Sequence, residues 1–161
     1  MKTLLILAMI ATTAASDQIT KLTVLRSLSP GEVHAVSPSF NLTLGFNEGA
    51  SFGMMSDLMA GRPLLMVALT GALAIIFAGM AFRADAKRER IGLALIAGGA
   101  AGNIIDRLRQ GAVTDFLDVY WRDWHWPTFN GADIAISLGA LLVLTAMLRP
   151  SRSKELSFDR T

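Results

Sequence analysis

Cysteine is absent from the 161 residues. Its absence excludes disulfides, thiolate metal ligands, a cysteine nucleophile and lipidation on the chain's own cysteine. Charge is scarce too: 17% of residues are charged and 52% are hydrophobic, a membrane composition rather than that of a soluble domain of this length. A net charge of +2 is too small to argue for nucleic acid, and the basic residues flank apolar runs instead of forming a binding stripe. The two histidines, His34 and His125, lack ligand-like spacing, so no metal is expected. There is no G-x-S-x-G elbow and no phosphate-binding loop, and no cofactor is expected.

What the chain does have is long apolar runs. Residues 64–82 (LLMVALTGALAIIFAGMAF) carry no charge and approach the roughly 20 residues that cross a bilayer core of about 30 Å. Residues 91–105 and 134–148 are shorter and reach spanning length only with polar neighbours, among them Asn103, Asp106 and Asp133. Leu4 to Ser16, after Lys2, would also describe a cleavable secretory signal. Ile19, Leu22 and Leu25 prolong the apolar pattern, however, and the segment is read as a retained first span. The expected spans are 3–22, 64–82, 89–107 and 131–148. The basic loop 83–90 and tail 149–161 should be cytoplasmic, which turns 23–63 and 108–130 outward. Alternation around Phe40, Leu42, Leu44 and Phe46 suits strands of a small sheet lying on the bundle. The expected fold is thus an all-α membrane protein: one domain over 1–161, a four-transmembrane-helix bundle with a small extracytoplasmic β-sheet segment.

Residues 106–133 gather five aspartates, and ionisable groups at membrane helix ends call for an explanation. Asp133 opens the fourth helix, where unpaired N–H groups favour an anion and Asn130 can cap it. Asp115 lies among Val113, Phe116 and Leu117, neighbours expected to raise its pKa. Two carboxyl groups in a poorly solvated place share a proton and can hold a water between a base and an acid, which is the logic of an aspartic peptidase. The alternative is a small proton-coupled transporter using interface carboxylates. Against it, the span 64–82 is uncharged and the acids cluster at one face.

Simpler roles suit other residues. GGAAG at 98–102 fits close helix packing. Asp106 beside Arg107 reads as an ion pair at the end of the third helix. Asp118 and Asp123, within DVYWRDWHW, read as solvated charges in an interfacial aromatic belt with no catalytic role. The glycines and exposed apolar residues of 45–55 suggest a gate.

Five stretches in order, DQITK (17–21), NEGASFG (47–53), GGAAGNIIDR (98–107), VTDF (113–116) and FNGAD (129–133), resemble lipoprotein signal peptidase, or signal peptidase II, a family of four-helix aspartic peptidases of bacterial membranes. The resemblance implies that Asp115 and Asp133 are the catalytic pair. It also implies that Asp17, Lys21, Asn47, Gly49, Asn103, Asp106, Arg107, Asn130 and Ala132 line or brace the site. The implied substrates are prolipoproteins, cut before a diacylglyceryl-modified cysteine at the outer face of the inner membrane, by an enzyme in contact with membrane lipid and expected to be a monomer. Thr114 departs from the aliphatic residue expected before the aspartate, and its hydroxyl is expected to add a hydrogen bond that lowers the pKa of Asp115.

Overall fold

The computed structural model describes residues 2–49 and 62–148. Residues 50–55 of the expected gate lie outside the described residues. The elements in order are α1 (Lys2–Ser27), β1 (Val33–Ser37), β2 (Phe40–Asn47), α2 (Pro63–Arg83), α3 (Lys87–Gln110), β3 (Val113–Trp121), β4 (Trp124–His125) and α4 (Gly131–Met147). Three of the helices, α1, α2 and α3, are long and apolar enough to cross a membrane, and α4 is a shorter apolar helix of 17 residues. α1 runs unbroken through the TTAAS stretch.

Helix ends follow local chemistry. Pro63 occupies the first turn of α2, where its missing N–H is no loss. Gly111 closes α3 at φ 82°, its N–H donating to the Arg107 carbonyl, a left-handed turn that glycine adopts without strain. This turn sends the chain directly into β3. α4 begins with a reciprocal cap: Asn130 accepts from the Asp133 N–H while the Asp133 carboxylate accepts from the Asn130 N–H.

α3 is the central helix, packed against α1, α2 and α4, and it buries Leu93, Ala94, Ile96 and Ala97. The peripheral helices turn Leu4, Leu5, Leu64, Ile75, Ile76, Leu141 and Leu144 outward, an apolar exterior suited to lipid. The small residues of α3 set the approach distances. A Cβ on Gly98 would stand 2.7 Å from the Thr13 Cβ, one on Gly99 2.5 Å from the Ala132 carbonyl oxygen, and one on Gly92 2.5 Å from the Gly139 carbonyl oxygen. The close-packing reading of GGAAG therefore holds.

The strands form one antiparallel sheet in the order β1-β2-β3-β4, with Gly45 opposite Asp115 and Asn47 opposite Val113. Leu44 and Phe116 bury themselves against Val24 near the end of α1, with Leu25, Leu28, Leu42 and Leu117 around them. The sheet is thereby docked on the end of the bundle where α3 stops and α4 starts. Phe129, just before α4, bridges to Leu117: its N–H donates to the Leu117 carbonyl, and its carbonyl accepts from the Phe116 and Leu117 N–H groups. That pairing brings the first turn of α4 beside Asp115.

Candidate active site

The structure gathers every site residue expected from the sequence into one connected polar network. At its root lies Lys21, 1% exposed. An ammonium group has three hydrogens, and here each has a partner: Asp17 Oδ2 at 2.8 Å, Asp106 Oδ2 at 2.9 Å and Asn103 Oδ1 at 2.8 Å. Asp17 and Lys21 meet because residues four apart share a helix face. The other oxygen of Asp17 accepts the Ala132 N–H at 2.8 Å, so a side chain of α1 caps the first turn of α4. A Cβ on Gly102 would collide with Asp17 Oδ2, so the cap requires glycine at that point of α3.

Asn103 carries the order from Lys21 to the carboxylate pair. Its oxygen accepts from Lys21 and from Asn130 Nδ2 at 3.2 Å, which leaves its amide nitrogen to donate to Asp133 Oδ1 at 3.0 Å. Asn130 bridges the pair: its Nδ2 donates to Asp115 Oδ1 at 2.6 Å, and its backbone N–H donates to Asp133 Oδ2 at 3.1 Å. Asn47 Nδ2 donates to Asp115 Oδ2 at 3.2 Å, while its own oxygen accepts from the Gly49 N–H. Arg107 donates to the Gly49 carbonyl at 3.0 Å, and its buried Nε has no hydrogen-bond partner among the described residues.

Asp115 lies in β3, beyond the helices, and is 2% exposed. Its pKa is raised from 3.8 to about 6, first by burial and then by the negative charge of Asp133, with the amides of Asn47 and Asn130 opposing the rise. The folded protein therefore binds this proton more tightly than the unfolded chain does. The group's contribution to stability is fully present below its ordinary value of 3.8 and is lost as pH rises from there through about 6. Asp115→Asn removes the titration, so the melting temperature of the variant relative to the parent should rise between pH 5 and pH 8. The change corresponds to about 1 kcal/mol. A pH-independent difference in thermal unfolding would show that Asp115 titrates normally.

Three expectations are corrected. Asp106 does not pair with Arg107, because successive helix residues diverge around the axis. Asp106 turns instead to Lys21, Gln18 and the Thr114 N–H, and Arg107 turns to Gly49. Thr114 does not bond Asp115, since neighbours on a strand point to opposite faces. The Thr114 hydroxyl accepts from Gln110. Asp118 is not a solvated belt charge. It is 5% exposed, with Asn41 Nδ2 at 2.9 Å and His125 Nδ1 at 2.8 Å.

Sequence reasoning also missed Gln18, whose amide donates to Asp106 Oδ1 at 2.8 Å and to the Gly102 carbonyl at 3.1 Å. Its place inside DQITK was the available signal. Among the described residues no cluster of His, Asp and Glu could hold a metal ion. Beside Asp133 runs an apolar groove of about 450 Å³, with Trp126, Pro127, Thr128 and Phe129 as one wall and Ile134, Ile136, Ser137 and Leu138 of α4 as the other.

Outward-facing apolar helices around a buried acidic centre define a membrane protein whose working groups sit at one end of the bundle. Residues 9–149 match the family described as Signal peptidase (SPase) II. The chain belongs to that family. It is 44% identical over 137 residues to the lipoprotein signal peptidase of Burkholderia mallei (strain SAVP1), covering 84% of this chain and 82% of that one. With the lipoprotein signal peptidase of Serratia marcescens it shares 42% identity over 135 residues, 84% of this chain and 79% of the other. A bacterial membrane enzyme solved by the in meso method at 2.3 Å resolution superposes with a TM-score of 0.80 at 26% identity, covering 96% of this chain and 94% of that one.

Proposed function

We propose that the protein removes signal peptides from diacylglyceryl-modified prolipoproteins, acting as an aspartic endopeptidase that cleaves before the lipidated cysteine. The observation that carries the reading is the coupling of Asp115 and Asp133 through Asn130, which donates to both. Family membership supplies the substrate class, as the relatives' name is lipoprotein signal peptidase.

In the proposed reaction a water lies between the two carboxyl groups. The ionised aspartate takes a proton from it as its oxygen attacks the scissile carbonyl carbon, and the protonated aspartate hydrogen-bonds the carbonyl oxygen where negative charge develops. The C–N bond then breaks, the leaving nitrogen takes a proton from the dyad, and the products are a carboxylate and the free amine of the lipidated cysteine. Asn103, Asn130 and Asn47 hold the carboxylates in place. The groove beside Asp133 would take the lipid-bearing part of the substrate.

All four helices span the membrane in this reading, with both termini cytoplasmic and the sheet and site at the outer face, as the basic loop 83–90 favours. A single chain supplies the whole site. The test is cleavage of a diacylglyceryl-modified prolipoprotein by the purified protein in detergent, with product mass giving the cut position. Cleavage before the lipidated cysteine is expected. An inert protein would sink the reading and make proton-coupled transport the next assay.

A further inference from the structure

Asp118 is a buried carboxylate that the reaction above does not use. It sits in β3 between Leu117 and Val119, the two residues that clamp the segment 126–129: the Trp126 N–H donates to the Val119 carbonyl, and Phe129 exchanges hydrogen bonds with Leu117. From that midpoint its carboxylate reaches both ways. Oδ2 accepts from Asn41 of β2 at 2.9 Å, and Oδ1 meets His125 Nδ1 of β4 at 2.8 Å. A carboxylate only accepts, so Nδ1 carries the hydrogen. The His125 ring is further held by stacking on Tyr120, with centroids 5.1 Å apart.

His125 immediately precedes Trp126, the first residue of the groove wall that faces α4 beside Asp133. β4 is only two residues long and makes just two register pairs with β3, too little backbone bonding to hold this hairpin alone. The Asn41–Asp118–His125 chain adds a side-chain tie beside the Trp126–Val119 backbone bond, from the middle of the sheet to the start of the wall.

We propose that Asp118 is a positioning residue for substrate binding: through Asn41 and His125 it fixes the wall 126–129 against α4 and so governs how tightly the groove grips the lipid-bearing part of the substrate. The inference rests on the peptidase reading. It places Asp118 outside bond cleavage, so its removal acts on KM and spares kcat.

The experiment compares steady-state cleavage of a diacylglyceryl-modified prolipoprotein by the parent, Asp118→Ala, Asp118→Asn and His125→Ala. Asp118→Ala should raise KM about tenfold, a loss of about 1.4 kcal/mol in substrate binding, with kcat near that of the parent. Asp118→Asn should recover most of the loss, since its oxygen can accept from Asn41 and its amide can donate to an Nδ1 freed by a change of tautomer. His125→Ala, at the surface, should shift KM in the same direction and carries the test if Asp118→Ala does not fold. An unchanged KM in folded variants, or kcat and kcat/KM falling together, would overturn the inference alone. A parent inert toward the substrate would overturn the peptidase reading, and the inference with it.

Discussion

Asp133→Asn and Asp115→Asn should each lower cleavage of a lipidated prolipoprotein by at least about 10²–10⁴-fold, the range that a positioned acid or base contributes. Amide for carboxyl keeps size and most of the hydrogen bonding, so both variants should fold. Asn at 133 can present its oxygen to only one of the two donors that face Asp133, the Asn103 amide or the Asn130 backbone N–H. Asn at 115 faces the same choice between Asn47 and Asn130. Neither amide can take a proton from water at the dyad. Rate measurements on detergent-purified protein, with thermal unfolding to show the fold intact, decide the matter. A folded variant that cuts at a rate near that of the parent would remove that aspartate from the chemistry.

The second large effect is expected at Lys21. Lys21→Met preserves bulk but leaves Asp17 and Asp106 facing each other without their shared cation, both of them buried. Removing one partner from a buried ionic cluster costs about 3–5 kcal/mol, because the uncompensated charge remains in a poorly solvated place. Activity should fall as well, since Asn103 loses the shorter of the two donor contacts, from Lys21 and Asn130, that fix which end of its amide faces Asp133. Adding Asp106→Asn to the Lys21 variant should restore part of the stability, a coupling that a double-mutant cycle measures. A Lys21→Met protein that melts with the parent would mean that the cluster contributes no net stability.

The helices were legible because uninterrupted apolar length is a strong local signal, as in 64–82. The expected first span stopped at 22, whereas α1 continues to Ser27: the apolar residues of its last turns, Val24 and Leu25, pack under the sheet. The carboxylate pair was legible through the order of five short motifs. β3 was not recognised as a strand, because Val113, Thr114, Asp115 and Phe116 are all buried. With both faces covered, the alternation that marks a strand disappears.

Asp118 was misread for a different reason. Local composition describes the neighbourhood in sequence, and DVYWRDWHW does expose Trp121 and Trp124, yet Asn41, the partner that explains the burial of Asp118, lies 77 residues earlier. The pairing of Asp106 suffered likewise. The adjacent Arg107 was the visible candidate, while the true partner Lys21 belongs to another helix.

The Asp17 cap on α4 bears on how the protein comes into being. Asp17 and the Ala132 N–H it accepts stand 115 residues apart, so a ribosome delivers the first long before the second. Until α4 arrives, the carboxylate that will organise its first turn has no helix to cap, and Asp115 has no Asn130 to hold it. On the peptidase reading proposed above, the dyad is therefore completed only by α4, and a half-synthesised chain would be spared proteolytic activity before its fold has closed.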